Sequence, residues 1–140
     1  MKVFFDTNVV LDWLLKREPT FAQSSRALRE TIRLGHTGVF SSGMLNDIYY
    51  VLKKELKSSD QAREKVESVL SLFRLAKVDE DIIAEALRLR GRDFEDDIVV
   101  ATAIGCGADC LVTNNVKDFL PSYPDLKIYN PSEYLEMLGQ

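Results

Sequence analysis

Histidine occurs once in these 140 residues, cysteine twice and tryptophan once. Cations do not outnumber anions, since 18 Lys and Arg stand against 22 Asp and Glu for a formal net charge of −4. The single histidine, His36, lies in Gly35-His36-Thr37-Gly38. A Ser-His-Asp or Cys-His device is therefore excluded unless that turn folds back into a site. Cys106 and Cys110, spaced C-x-x-x-C with no histidine nearby, make a poor zinc signal and read as core or free thiols in a reducing compartment. The acidic balance excludes a broad nonspecific nucleic-acid coat, though a local basic face can still hold one strand. The longest apolar stretches, such as Ile98 to Ile104, fall well short of the roughly 18 residues a membrane span needs. No secretory segment with a cleavage site opens the chain. The expectation is a cytoplasmic protein with no membrane partner.

What is present reads as a single domain over residues 1–140, without repeats, low-complexity tracts or linkers. With 46% hydrophobic residues, a chain of this length buries about two thirds of its unfolded surface. Strands are expected at Lys2 to Phe5, Gly38 to Ser41, Lys77-Val78, Cys110 to Thr113 and Leu126 to Tyr129. Helical periodicity fills the gaps. Ser58-Ser59-Asp60-Gln61 has a capping-box pattern and leads into Ala62, Val66, Val69, Leu70 and Phe73 on one face. Asp79 can cap a helix whose Ile82, Ile83, Ala86 and Leu87 point one way before Gly91 ends it. Strands alternating with helices imply a parallel sheet covered on both faces by right-handed crossovers. Ligands bind such sheets beyond the carboxyl ends of the strands.

Carboxylates gather at that edge. Acids are depleted in strands, yet Asp6 directly follows Val3-Phe4-Phe5; apart from capping a helix that starts near Asn8, it has no local reason to be there. In S-S-G-M-L-N-D-I-Y-Y-V-L, the stripe Leu45, Ile48, Leu52 and Leu56 leaves Asp47 semi-buried at its border. In G-R-D-F-E-D-D-I-V-V-A-T-A-I-G-C-G, Asp93, Glu95, Asp96 and Asp97 occupy the first turn of a helix that is apolar on almost every side, so burial along its length is expected. In L-V-T-N-N-V-K-D-F, a strand ending at Thr113 delivers Asn114, Asn115 and Asp118. Singly these acids have ordinary readings: Asp93 as an N-cap, first-turn acids complementing the helix dipole, and Asp118 forming a turn or cap ahead of Phe119 and Pro121. Together they repel one another, and a cation resolves the repulsion. Mg²⁺ and Mn²⁺ take oxygen ligands and keep waters, so a few aspartates suffice. Such ions lower the pKa of water and stabilise charge on phosphate oxygens, which is phosphodiester hydrolysis.

These four motifs, in this order and spacing, resemble the PIN-domain family, the small metal-dependent ribonucleases that include the VapC-type toxins of toxin–antitoxin pairs. The likeness covers the whole chain. It implies a three-layer α/β/α sandwich with a central, mostly parallel sheet of about five strands, an RNA substrate, Mg²⁺ or Mn²⁺ as cofactor, a homodimer and a cognate antitoxin. Position by position it implies Asp6 as the first metal-binding acid with Thr7 and Asn8 beside it, Asp47 as the second, Asp96 as the third with Asp93 assisting or capping, and Asn115 as the fourth. Thr113 supports that last position. Two positions depart from the usual pattern, as in a subgroup of the family: Asp47 replaces the usual Glu and is one methylene shorter, and Asn115 replaces a frequent Asp, leaving Asp118 as a substitute.

Hints of an RNA track are few. Arg26, Arg29 and Arg33 share a face after Pro19, and Lys53, Lys54 and Lys57 cluster further on; any RNA contact they make should position phosphate without reading sequence. Trp13, Tyr49 and Tyr50 either stack bases or fill core and dimer contacts. A haloacid-dehalogenase-like phosphatase also begins with an apolar strand and an Asp, but Asn8 stands where its second acid belongs. A flavodoxin-like nucleotide site would need glycine in Asp6-Thr7-Asn8-Val9-Val10. The remaining alternative is a catalytically degenerate PIN-like domain that binds RNA or a protein partner.

Overall fold

The computed structural model describes residues 1–119, 123, 124 and 126–140. Pro121, expected near a turn, lies outside them. Five strands, β1 (Lys2–Phe5), β2 (Thr37–Ser41), β3 (Arg74–Ala76), β4 (Cys110–Val112) and β5 (Lys127–Tyr129), form one sheet in the order β3-β2-β1-β4-β5. Every neighbouring pair is parallel, with Phe4 beside Val39 on one side and Leu111 on the other. Eight helices flank it among the described residues: α1 (Thr7–Leu15), α2 (Phe21–Arg33), α3 (Leu45–Leu56), α4 (Ser59–Leu72), α5 (Glu80–Leu89), α6 (Phe94–Gly105), α7 (Val116–Phe119) and α8 (Pro131–Met137). This is the expected α/β sandwich.

The centre of the sheet follows from its sequence. Val3, Phe4 and Phe5 are all fully buried, and successive strand residues face opposite sides, so both faces of β1 are covered. At about 2 kcal/mol per buried apolar side chain, those three residues contribute roughly 6 kcal/mol to the core. Phe5 meets Phe73 and Tyr134 edge-on, at centroid distances of 6.0 and 6.1 Å. Chain order reverses at β1, with β2 on one flank and β4 on the other, and in such sheets the crevice opens at this reversal. Asp6 stands at its mouth.

Several local expectations are corrected. The third strand is Arg74–Ala76, three residues before Lys77-Val78; it is an edge strand with Arg74 and Leu75 exposed, so it carries no buried apolar pattern to read. Ser58 caps α4 by accepting from the Gln61 N–H at 3.2 Å, and Asp79 caps α5 by accepting from Ile82 at 3.0 Å. In both helices the expected apolar face is too wide, because Leu70 and Leu87 are exposed. Helix α5 ends on Arg90, a non-glycine residue at φ 50°, and not on Gly91; a cation there complements the helix C-terminus. Helix α6 is not buried along its length, since α5 packs along it and leaves Phe94 and Ile104 about half exposed. Thr37 and Gly38 belong to β2, so the turn is shorter than expected and His36 contacts the Met1 amino group at 2.9 Å. No described helix is long and apolar enough to cross a membrane.

Candidate metal centre

The reversal point is built around one carboxylate. β1 ends at Phe5, and Asp6 continues its ladder by donating its N–H to the Val112 carbonyl at 3.0 Å. It then starts α1, with Oδ1 accepting from the Thr7 N–H at 2.8 Å. So Asp6 does have a capping role. Its other oxygen, Oδ2, accepts from the Thr113 hydroxyl at 2.8 Å and from the Asn8 amide at 3.4 Å. Thr113 Oγ1 in turn accepts from the Asn115 N–H at 3.1 Å, which fixes the turn after β4. Burial pushes the Asp6 carboxyl above its ordinary range, hydrogen bonds from Thr113, Thr7 and Asn8 hold it back, and the charge of Asp118 raises it further.

A cleft of about 420 Å³ opens beside it, lined by Asp6, Thr7, Ser41, Asp47, Glu95 and Asp96 among others. Asp96 arrives on the first turn of α6, which Asp93 caps by accepting from the Glu95 and Asp96 N–H groups at 2.8 and 3.3 Å. Burial, followed by the charges of Asp93, Asp118, Asp6 and Asp97, pushes the Asp96 carboxyl up to about 6. Asp47 also lines the cleft, exposed where a semi-buried position was expected, because the α3 stripe buries Ile48 and Leu52 and turns its neighbour outward.

The structure thus brings Asp6, Asp47 and Asp96 to one cleft, with Thr7, Asn8, Asp93 and Thr113 as neighbours. Asn115 and Asp118 are exposed and line none of it; Asp118 acts on Asp6 and Asp96 through its charge alone. Among the basic residues, Arg33 pairs with Glu30 at 2.6 Å and bonds Gln140, at the end of α2 that leads toward the start of β2, away from the cleft. Arg29 sits with Lys16, Lys65, Trp13 and Phe21 around a separate depression of about 270 Å³. Arg26 is exposed. Trp13 packs edge-on against Phe73 at 5.8 Å and is partly buried against the core, whereas Tyr50 is 66% exposed. Both cysteines are free, and burial pushes their thiols up, Cys110 to about 12. Sequence reasoning placed Glu95 only among the first-turn acids of α6, and missed Ser41 as a cleft residue and Asp12 altogether. Nothing in the helical pattern marks Asp12 as buried.

The donor set is oxygen only, which suits a hard cation. Among the described residues no three His, Cys, Asp or Glu side chains lie close enough to enclose an ion, so the chain offers a partial shell of Asp6 and Asp96, with Asp47 also lining the cleft. Mg²⁺ suits such a site because it retains several waters.

A pH test follows from the raised carboxyls. A group with a higher pKa folded than unfolded destabilises the fold as pH rises through that window. Asp96→Asn should therefore melt with wild type at about pH 4 and progressively above it toward about pH 7, since an unfolded Asp titrates near 3.9 and the folded one near about 6. Saturating Mn²⁺ should narrow the gap by stabilising wild type. Equal melting temperatures across the range, read by circular dichroism, would contradict the assignment.

A family model described as PIN domain matches residues 2–117, and the chain belongs to the PIN domain family. It is 27% identical over 142 residues to Ribonuclease VapC1 of Aquifex aeolicus (strain VF5), covering 96% of this chain and 94% of that protein. Among solved structures, it is similar to VapBC2 from Rickettsia felis bound to a DNA fragment from their promoter, with TM-score 0.72 and 24% identity over 93% of this chain and 98% of that one. It is likewise similar to a toxin-antitoxin complex from Klebsiella pneumoniae, with TM-score 0.68 and 24% identity over 92% and 97% of the two chains.

Proposed function

We propose that residues 1–140 act as a single PIN-type endoribonuclease that hydrolyses RNA phosphodiester bonds with Mg²⁺ or Mn²⁺, as the toxin of a toxin–antitoxin pair. The observation that carries this is the meeting of Asp6 and Asp96, from the end of β1 and the start of α6, at one cleft whose charged side chains are all carboxylates. The ribonuclease relative and the toxin-antitoxin structural neighbour support the same reading. A cognate antitoxin is the expected partner, and the protein works as a cytoplasmic homodimer.

A bound divalent ion would supply the positive charge that lowers the pKa of water and offsets charge on the phosphate. Asp6 and Asp96 would hold it. Thr7, Asn8 and Thr113 keep Asp6 oriented through the bonds described above, Asp93 fixes the α6 turn that presents Asp96, and Asp47, which also lines the cleft, would reach the ion through a water. Arg26, Arg29 and Arg33 are the candidate phosphate contacts, with Arg33 the weakest because Glu30 already holds it.

The test is cleavage of a mixed structured RNA pool by purified, antitoxin-free protein with Mn²⁺ or Mg²⁺ against EDTA. Cutting that requires the ion supports the enzyme. A second reading, an RNA- or partner-binding domain without catalysis, is favoured by the absence of three gathered acids among the described residues. It predicts no cutting and no saturable Mn²⁺ binding. A further expectation concerns the shortened acid: Asp47→Glu should restore the missing methylene and raise Mn²⁺ affinity by roughly threefold to tenfold, on the scale of a single contact to a metal site, measured by calorimetry. Weaker binding would show that Asp47 is not directed at the ion.

A further inference from the structure

Two carboxylates are buried among the described residues, Asp97 and Asp12. Asp97, on the first turn of α6, is accounted for by the Gly91 N–H and the Tyr123 hydroxyl. Asp12 draws donors from three separate segments. Its Oδ1 accepts from Arg17 Nε at 3.2 Å. Its Oδ2 accepts from the Thr20 hydroxyl, from the Ser24 hydroxyl at 3.0 Å and from the Asn114 amide at 2.7 Å. Arg17 compensates the charge at 3.2 Å, yet a packed apolar side chain often serves a fold as well as a buried ion pair, so the question is what else the carboxylate's bonds hold in place.

The Asn114 bond gives the acid another use. While its side chain is held by Asp12, its backbone N–H donates to Asn8 Oδ1 at 3.1 Å, and the other end of the Asn8 amide reaches Asp6 Oδ2 at 3.4 Å. On the same oxygen of Asp6 lands the Thr113 hydroxyl, one residue before Asn114. Asn114 thus lies between the buried acid and the cleft, tied to both. Resting on the function proposed above, we propose that Asp12 is a positioning residue for metal-dependent cleavage: through Asn114 and Asn8 it fixes the orientation of Asp6 and the 113–115 turn. It touches neither ion nor RNA. Its donors Thr20 and Ser24 tie α2 into the same arrangement, so a shift of that helix would reach Asp6 through hydrogen bonds and not through packing alone.

The experiment uses wild type, Asp12→Ala, Asn114→Ala and the double variant, read in two ways. In the metal-free protein, hydrogen exchange of the Asn114 backbone amide should quicken by about tenfold or more in Asp12→Ala, while the Asp6 amide, held by the Val112 carbonyl in the sheet, keeps its protection. Mn²⁺ affinity, by electron paramagnetic resonance, should fall by roughly tenfold in each single variant, as for loss of a group that orients a metal ligand. The double variant should match the worse single one, because both act through one bond. A variant that melts lower yet keeps wild-type Asn114 protection and Mn²⁺ affinity would overturn the proposal, as would additive losses in the double. Wild type without saturable Mn²⁺ binding would count against the proposed function instead, and the exchange measurement would then decide the role of Asp12 by itself.

Discussion

Asp6→Asn should abolish metal-dependent RNA cleavage while leaving the protein folded. The expected loss is about 10³-fold or more, equivalent to removing roughly 4 kcal/mol of charge stabilisation from the reaction. Folding should be spared because Asn keeps an oxygen for the Thr7 N–H and nearly the same volume, and because the fold already disfavours the charge of Asp6 through burial. At neutral pH the metal-free variant should melt no lower than wild type. The measurement is initial-rate cleavage of the RNA pool at saturating Mn²⁺, alongside thermal melts of both proteins. A variant that still cuts at more than a tenth of the wild-type rate would remove Asp6 from the centre of the mechanism, and one that fails to fold would make it chiefly a cap.

The second large effect separates two adjacent acids. Asp97 is buried and accepts from the Gly91 N–H at 3.0 Å and from the Tyr123 hydroxyl. Asp97→Ala leaves both donors in a dry site with no acceptor, which costs about 3 kcal/mol, or roughly a 10 °C fall in melting temperature for a chain of this size. Tyr123→Phe, which keeps the Gly91 bond, should cost only about 1 kcal/mol. Asp96→Ala should do the reverse, with cleavage falling by roughly 10²-fold or more while the melting temperature at pH 7 holds or rises. Parallel losses of stability in Asp96→Ala and Asp97→Ala would erase the distinction. Gly91 is part of this clamp, because a Cβ there would overlap the Asp97 carboxylate and the Tyr123 hydroxyl.

That contrast shows what was legible beforehand. The central strands were, since β1, β2 and β4 are buried apolar runs whose ends are marked by polar residues. The edge strand β3 was not, because half-exposed edges impose no pattern. The convergence of Asp6, Asp47 and Asp96 on one cleft was readable from topology, as strands of a parallel sheet deliver their ends to one side. The roles of Asp96 and Asp97 were not separable, for adjacent helical residues differ by a rotation of 100° whose reference is set only by what α5 and Tyr123 occupy. Asp12 was illegible for a related reason: its donors are 5, 8, 12 and 102 residues away, and only the folded chain assembles them.

The bond from Thr113 to Asp6 spans 107 residues, and this sets a clock on biosynthesis. A ribosome that has made Asp6 reaches Thr113 only 107 residues later, an interval of roughly ten seconds at about 5–20 residues per second. Until β4 slots in beside β1, the nascent chain carries Asp6 without the Thr113 bond that orients it. The Asp6 end of the cleft is therefore ordered late, once β4 has emerged and paired with β1.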